Sequence, residues 1–398
     1  MSGPLCSDLC KQNNIHLGKC LTTVPDKKIF DGTWHGKSVI LKVNMSWFEA
    51  FQERQKITDN DVASSYQNDV VSRVNSLFGN CRQCNKLASR LLLLGDGNSD
   101  GSVTAAEART FISLLQHMEP MMLITLNESK HTVDFYGYCG GLYMVEKLPF
   151  VASNVFRDSW EFLDLAFLPD GFEPLQNLFN DNLEKVLNSV AFSVLYICTS
   201  FANVITVIAD YPMLSTFFQM YTTSRSEKFD FAYSMLDATL DVSVTPYGLT
   251  QSCDLHLGNY GITNTSTVKL IDLDLTYPHV LLQTLLRQKE CISDLDCFVG
   301  SSEPCWSDCD KKTSTCKALL GLQDLHVICE GLFPIIFRHP NVMDPISYNI
   351  TCLKKAIRDL GVLCSKLPVV YSERELRHYI LVVKRKLKSI ELRHTEEC

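Results

Sequence analysis

Length, composition and charge limit what this chain can be. Its 398 residues are enough for one large two-lobed domain or for two ordinary ones. With 46% hydrophobic and 21% charged residues, the composition is that of a globular protein and excludes a disordered or fibrous one. A net charge of −8 argues against a nucleic-acid-binding protein, because such proteins present a basic surface to phosphates. The basic run at 384–388 is interpreted as the solvated face of a helix.

The 17 cysteines indicate an oxidising compartment. They include dense groups at 6–20 and 291–316, whose irregular spacings lack the paired CxxC or HxxxH of a zinc site. A disulfide framework is therefore preferred to zinc. The isolated CxxC at Cys81 and Cys84 has no βαβ context that would support a redox role. The odd number leaves at least one thiol free or bonded to another chain.

Four N-glycosylation sequons support a lumenal or secreted chain. They begin at Asn44, Asn127, Asn264 and Asn349. Residues 1–6 show neither the basic nor the apolar region of a signal peptide, so we expect a targeting segment upstream; the alternative is a cytosolic chain. The uncharged stretch 186–209 is long enough to span a bilayer, but its many Asn, Ser and Thr side chains favour a buried helix.

The first part of the chain is predicted to be a sheet interrupted by helices. Apolar and β-branched residues at 28–43 flank a turn at His35-Gly36 and predict a hairpin. A second strand pair is predicted at 132–138 and 141–146. Between these pairs, helices are predicted over 61–79, over 81–94, and from a loop at 96–107 towards Leu126.

The loop at 96–107 has the pattern of a calcium-binding EF-hand. Oxygen-bearing side chains or carbonyls stand at the ligand positions of a twelve-residue loop, glycine stands at position six and Val103 supplies the apolar anchor. The predicted calcium ligands are Asp96, Asn98, Asp100, Ser102, Thr104 and Glu107. Calcium requires such an oxygen cage, and Gly101 permits the sharp turn. Because no second loop of this kind follows, we expect modest affinity.

The second part of the chain is predicted to be mostly helical, with short strands inside it. Apolar residues over 229–240 lie on one face of a helix, and the pattern at 260–272 predicts a strand, a turn and a second strand. Strands followed by helices indicate an α+β protein with two lobes and a cleft between them.

A second constellation carries the pattern of a phosphoryl-transfer site. Asp254 and Asn259 are five residues apart, and Asp272 follows thirteen residues after Asn259 across the predicted strand pair. That is the spacing of a protein-kinase catalytic loop and metal-binding aspartate. Asp254 is the predicted catalytic base, and Asn259, Asp272 and Asp274 are the predicted ligands of magnesium or manganese.

Upstream residues complete the predicted nucleotide site. Lys42 ends the string Val-Ile-Leu-Lys and resembles the strand lysine that contacts the α- and β-phosphates. We choose Glu119 as its carboxylate partner, on the helix leaving the calcium loop. The competing carboxylates are Glu53, Asp69 and Glu107. Glu146 and Leu148 belong to the predicted hinge, whose backbone would bind adenine.

These features together resemble the divergent protein kinase domain 1 family, whose members are EF-hand-bearing, cysteine-rich, kinase-like proteins of the endoplasmic reticulum. The resemblance rests on Leu5–Cys10, Trp34–Lys42, the calcium loop, Tyr136–Gly140, the Asp254 loop and the cysteines at 291–316. It implies a two-lobed protein-kinase-like fold with an inserted EF-hand, a disulfide-rich C-lobe, and ATP with Mg²⁺ or Mn²⁺ and Ca²⁺ as cofactors. It also implies a membrane anchor upstream and a lumenal location. The expected parts are an N-terminal segment at 1–27, an N-lobe at 28–148 and a C-lobe at 149–398.

The chain departs from ordinary protein kinases at several positions. No GxGxxG precedes Lys42, so other groups must cover the phosphates. Cys253 replaces the arginine that reads a phosphorylated activation loop, and His256 replaces the usual lysine of the catalytic loop. Asp274 replaces the glycine of the metal motif. No Ala-Pro-Glu motif follows, and the cysteine group occupies the region of the activation segment.

Three functions follow as hypotheses. The first is a calcium-regulated, metal-dependent ATP phosphotransferase of the secretory pathway, in which calcium positions Glu119 against Lys42. The second is a pseudokinase that acts as a calcium-responsive binding scaffold. The third is a small-molecule or glycan kinase, because the string from Asp254 to Asn259 is similar to the loop of aminoglycoside and choline kinases. The phosphate acceptor, whether protein, glycan or small molecule, is not identified by the residues, and no nucleic-acid partner is expected.

Overall fold

A computed structural model describes residues 2–22, 27–53, 57–58, 61–156, 224–299, 305–338 and 350–392. Within those ranges no helix combines the length and the apolar character needed to cross a membrane. The uncharged stretch at 186–209 and the sequon at Asn349 lie outside the described residues.

A five-stranded antiparallel sheet forms the upper lobe, in the order β1-β2-β3-β5-β4. Its strands are β1 (Ile15–Thr22), β2 (Lys27–Trp34), β3 (Lys37–Asn44), β4 (Phe135–Cys139) and β5 (Leu142–Glu146). The predicted hairpin is present as β2 and β3. His35 and Gly36 both have positive φ, at 46° and 77°, which is the backbone twist that a two-residue hairpin turn requires. The edge strand β1 lies within the predicted N-terminal segment 1–27, so part of that segment extends this sheet.

Helices fill the connection between β3 and β4. They are α2 (Trp47–Glu53), α3 (Val62–Phe78), α4 (Cys84–Leu94), α5 (Ala105–Leu115) and α6 (Met118–Thr125), while α1 (Cys6–Cys10) precedes the sheet. The helices predicted over 61–79 and 81–94 are α3 and α4. The single helix predicted from the calcium loop towards Leu126 is wrong, because the chain breaks between α5 and α6. Pro120 explains the break: inside a continuous helix it would leave the Gln116 carbonyl without its hydrogen bond and clash with it.

The lower lobe begins with β6 (Phe150–Val151) and α7 (Ala152–Phe156) and continues from residue 224. Its helices are α8 (Arg225–Ser243), α9 (His279–Arg287), α10 (Asp324–Val327), α11 (Phe333–Ile336), α12 (Ile350–Ser365) and α13 (Glu373–Leu392), with a π-helical turn at Ile328–Leu332. Its further strands are β7 (Val244–Thr245), β8 (Gly248–Ser252), β9 (Tyr260–Ile262), β10 (Val268–Leu270), β11 (Thr276–Pro278), β12 (Ser307–Asp310) and β13 (Thr315–Leu320). The apolar face predicted in α8 packs into the main hydrophobic core, and Phe229, Ala232 and Leu236 are fully buried there.

Six disulfides lie within the described part of the chain. They join Cys6–Cys139, Cys81–Cys84, Cys253–Cys305, Cys291–Cys309, Cys297–Cys316 and Cys329–Cys364. Cys352 is also disulfide-bonded, whereas Cys10 and Cys20 are exposed free thiols. Because the cysteines of the 291–316 group are bonded to one another or to Cys253, their sulfurs serve the disulfide framework that the spacings favoured over zinc.

Candidate active site

The strand lysine and its partner come together in the upper lobe. Lys42 on β3 is buried, and its Nζ donates hydrogen bonds to a carboxylate oxygen of Glu119 and, at 2.7 Å, to the carbonyl of Ile271. Tyr143 stands opposite Lys42 on β5 and donates its hydroxyl to the other oxygen of Glu119. Among the four carboxylates considered from sequence, Glu119 is therefore the one that pairs with Lys42.

Glu119 is fully buried at the second position of α6, yet it is held as an anion. Burial by itself would raise the pKa of its carboxyl group, but the ammonium groups of Lys27 and Lys42 lower it to about 2. The other carboxylates are placed elsewhere. Glu107 closes a capping box with Thr104 at the start of α5, Asp69 is half-buried on α3, and Glu53 is exposed.

Lys27 is a member of the site that the sequence arguments missed. Its Nζ lies 2.6 Å from a Glu119 oxygen, 3.2 Å from both oxygens of Asp272 and 2.6 Å from Asp274 Oδ2. Burial would lower the pKa of this ammonium group, but the three carboxylates raise it above its ordinary value. The only local signal is position, since Lys27 directly follows the connection between β1 and β2, where a glycine-rich loop would cover phosphates.

The predicted catalytic loop follows β8. The side-chain amide of Asn259 donates to the Asp254 carbonyl at 2.7 Å and to Asp254 Oδ2 at 3.1 Å. His256 Nε2 lies 3.6 Å from the same carboxylate oxygen, and its Nδ1 accepts from the Gly258 amide at 3.0 Å. The Asp254 carboxylate is thus held at one edge by Asn259 while its side chain stays partly exposed.

The strand pair β9–β10 leads from the catalytic loop to two of the predicted metal ligands, Asp272 and Asp274. The pair is antiparallel, and the Ile271 amide donates to the Asn259 carbonyl at 3.0 Å, so Asp272 emerges beside the catalytic loop. One carboxylate oxygen from each of Glu119, Asp272 and Asp274 lies within 4.8 Å of the other two. Such a group of hard oxygen donors suits Mg²⁺ or Mn²⁺.

Asp324 supports the catalytic loop from below and was also missed. Both of its carboxylate oxygens lie 3.2 Å from the Ser252 amide, two residues before Asp254, and the Ser243 hydroxyl donates to Oδ2 at 3.2 Å. Burial raises the pKa of this carboxyl group to about 7. The contact spans 72 residues of sequence, so no local spacing reveals it.

The predicted hinge residues lie where β5 leaves the sheet. The Glu146 carboxylate accepts a 2.6 Å hydrogen bond from Lys269 on β10, which connects the hinge to the strand before Asp272. Leu148 packs against Gly261 of β9 so closely that a Cβ at position 261 would collide with it. The predicted hinge is therefore packed directly against the strand pair that precedes the predicted metal ligands.

All six predicted calcium ligands lie in or next to one tight loop between α4 and α5. Asp96 accepts from the amides of Asp100 and Gly101 at 3.2 and 2.8 Å, and Asp100 accepts from the Ser102 amide at 2.9 Å. Gly101 has a φ of 87°, which favours glycine. The loop is joined to the sheet through the Tyr138 hydroxyl, which donates to the Leu94 carbonyl at 3.1 Å.

The described site thus contains a buried lysine–glutamate pair, a loop of aspartate and asparagine, and an aspartate after a strand pair, in the order of a protein kinase. Two family models match the chain. One, described as the protein-kinase domain of FAM69, covers residues 111–359, and the other, described as the N-terminal cysteine-rich ER region of FAM69, covers residues 1–72. The second description is consistent with an endoplasmic reticulum or secretory location. The kinase-domain match alone covers more than half of the chain, so the protein belongs to the FAM69 family.

Proposed function

We propose that this chain is a metal-dependent phosphotransferase of the protein-kinase type that uses ATP. The observation that carries the proposal is the buried pair of Lys42 and Glu119, set against the backbone just before Asp272. Removing two charges from water costs several kcal/mol per ion, so a buried ion pair at this position supports a functional role.

Each residue has a role in this proposal. Lys42 binds the α- and β-phosphates, and the hinge backbone around Glu146 and Leu148 binds adenine. Asp254 accepts the proton of the acceptor hydroxyl. As it does so, the hydroxyl oxygen of the acceptor bonds to the γ-phosphorus and the bond from the γ-phosphorus to ADP breaks. Asn259, Asp272 and Asp274 would hold Mg²⁺ or Mn²⁺, which would neutralise phosphate charge.

The first experiment measures thermal stability with ATP and either Mg²⁺ or Mn²⁺, in the wild type and in Asp272→Ala. We expect a metal-dependent rise of the melting temperature with ATP that the variant lacks. Transfer of the γ-phosphate to protein, glycan and small-molecule acceptors is then compared with Asp254→Ala. Transfer that survives in that variant would contradict the assigned base.

A calcium-responsive scaffold is the second candidate. It is favoured by Lys27, whose ammonium group lies among the carboxylates that would bind metal. In that case Ca²⁺ stabilises the protein, whereas ATP with either metal produces no shift and no phosphate is transferred.

We also propose that the loop at 96–107 binds Ca²⁺ and influences the site through the junction of α5 and α6. The loop ends at the start of α5, and Glu119 lies on α6, so a change in the direction of α5 would be passed to the Lys42 pair. Equal nucleotide affinity with Ca²⁺ and with a chelator, once calcium binding is shown, would contradict this coupling.

Glu107→Gln tests calcium binding itself, with Glu227→Gln as a matched control. Each glutamate closes a capping box, with Thr104 on α5 and with Ser224 on α8 respectively. Both variants lose a similar capping interaction, but only Glu107→Gln should abolish the stabilisation by Ca²⁺ measured in thermal unfolding. Equal loss of that stabilisation in both variants would show that the loop is not the site.

We propose a lumenal location from the disulfides and the exposed glycosylation sequons. The disulfides require an oxidising compartment, and the sequon residues Asn127 and Asn264 are exposed, whereas Asn44 is half-buried. The proposal includes a membrane anchor upstream of these residues, as the family resemblance implies. Treatment of the cell-expressed protein with an N-glycosidase should lower its apparent mass, and an unchanged mass would argue against glycosylation.

A further inference from the structure

Lys27 is placed by the fold at the centre of the acidic group. It is the first residue of β2, and its side chain is only 10% exposed although it belongs to one of the most solvated residue types. Its neighbour Lys28 points to the opposite face of the strand, as alternation requires, and is half-buried there. The two lysines therefore offer a matched comparison, in which only Lys27 reaches the site.

The oxygens that Lys27 contacts are the ones expected to bind metal. Its ammonium group donates hydrogen bonds to both oxygens of Asp272 and to Oδ2 of Asp274. Asp274 stands where kinases have glycine, so the extra carboxylate and the extra lysine form one additional ion pair. A divalent ion and an ammonium group cannot share these oxygens, because like charges a few ångströms apart repel strongly in a partly buried site.

We propose that Lys27 occupies the divalent-metal position until nucleotide arrives, so that metal and nucleotide bind cooperatively. This inference rests on the proposed nucleotide site. The phosphates supply the anionic partner that Lys27 needs when it leaves Asp272 and Asp274. The flexible four-carbon stem of lysine allows the movement from carboxylates to phosphates while the contact with Glu119 is kept. Lys27 thereby takes over part of the phosphate contact that an absent glycine-rich loop would make.

Mn²⁺ binding measured by electron paramagnetic resonance tests this inference without any assay of turnover. All proteins carry Glu107→Gln, so that the loop at 96–107 does not contribute a second site. In Lys27→Met the affinity for Mn²⁺ without nucleotide should rise on the order of tenfold, because a competing charge is removed. The gain in Mn²⁺ affinity caused by ATP should shrink by the same factor. Lys28→Met should behave like the parent protein.

Several outcomes would overturn the inference. Unchanged or weaker Mn²⁺ binding in folded Lys27→Met would show that Lys27 only supports the structure. If Lys27→Met does not fold, Lys27→Gln replaces it, because glutamine keeps a hydrogen-bond donor among the carboxylates. Lys27→Gln should show the same gain in Mn²⁺ affinity. Without that gain, Lys27 again only supports the structure.

The proposed function fails separately. The proposed nucleotide site is wrong if the parent protein does not bind Mn²⁺ and ATP, or if Asp272→Ala binds them equally well. If that binding is present and the Lys27 variants leave it unchanged, only the inference about Lys27 is overturned.

Discussion

At the scale of single residues, Glu119 is where the charges of the site meet. One oxygen accepts from Lys42, and the other from Lys27 and Tyr143, with no exposure to solvent. Removing a partner from such a buried group leaves uncompensated charge, which costs more than the intact pairs contribute. The group is therefore sensitive to any change that neutralises its central carboxylate.

Glu119→Gln should lower the free energy of unfolding by about 3–5 kcal/mol, because the buried Lys42 loses its carboxylate partner and Lys27 loses one of three. Urea denaturation measures the loss. Glu128→Gln is the control, since Glu128 is 78% exposed and lies 3.9 Å from Arg90 in a surface pair. That pair should contribute about 0–1 kcal/mol. Equal losses in the two variants would contradict the assigned burial of charge.

Asp324 should make stability depend on pH. Its pKa is raised from 3.8 to about 7 in the folded chain, so between these values the folded state binds more protons than the unfolded state. The free energy of unfolding contributed by this group therefore falls as pH rises, by about 2 kcal/mol from pH 5 to pH 7. Denaturation of the wild type and Asp324→Asn across this range measures the difference.

The exposed Asp308 provides the control for that experiment. Asp308→Asn should leave the pH dependence of unfolding unchanged, because this side chain is 52% exposed and lies in a surface pair with Lys317. A pH dependence that is the same in all three proteins would mean that the Asp324 carboxyl group is not perturbed by burial.

At the scale of elements, the junction of α5 and α6 decides where Glu119 lies. The guanidinium group of Arg73 on α3 donates to the carbonyls of Leu115 and Gln116 at 2.9 and 2.8 Å. These carbonyls are at the end of α5, where helical partners are lacking. Arg73 thus completes the hydrogen bonding of one helix and defines the start of the next.

Arg73→Met keeps most of the apolar stem but removes both hydrogen bonds. We expect a loss of about 1–3 kcal/mol in unfolding free energy, because two partly buried carbonyls lose a charged donor. Hydrogen exchange should become faster at the end of α5 and at the start of α6. Faster exchange spread evenly over the upper lobe, with no excess at the junction, would argue against this role.

At the scale of the whole molecule, disulfides tie distant parts of the chain together. Cys6–Cys139 joins the N-terminal segment to β4 across 133 residues, whereas Cys81–Cys84 spans only three. Backbone hydrogen bonds from Leu5 to Tyr138 and from Gly140 to Ser2 accompany the first bridge. The N-terminal segment is therefore held against the same sheet that carries Lys42.

Replacing each pair by serine should separate the two bridges. Loop-closure entropy predicts a loss of about 5 kcal/mol without the Cys6–Cys139 bridge and about 2 kcal/mol without the Cys81–Cys84 bridge. Denaturation midpoints under non-reducing conditions measure the difference. A larger loss at Cys81–Cys84 would mean that the long bridge contributes little restriction of the unfolded chain.

The sequence by itself determined the features that depend on short spacings. The hairpin turn at His35-Gly36, the tight turn at Gly101 and the strand pair between Asn259 and Asp272 follow from local residue patterns and are present in the structure. The preference for disulfides over zinc also followed from spacing and composition. Pro120 marks the break before α6 in the sequence, although the apolar periodicity continues through it.

Only the tertiary structure decided which distant charges meet. Lys27 contacts Asp272 across 245 residues, and Asp324 reaches the Ser252 amide from another helix. Such contacts leave no periodicity or spacing in the sequence, because they depend on how β2, α10 and the catalytic loop are packed. The choice of Glu119 over other carboxylates was likewise settled by burial and geometry.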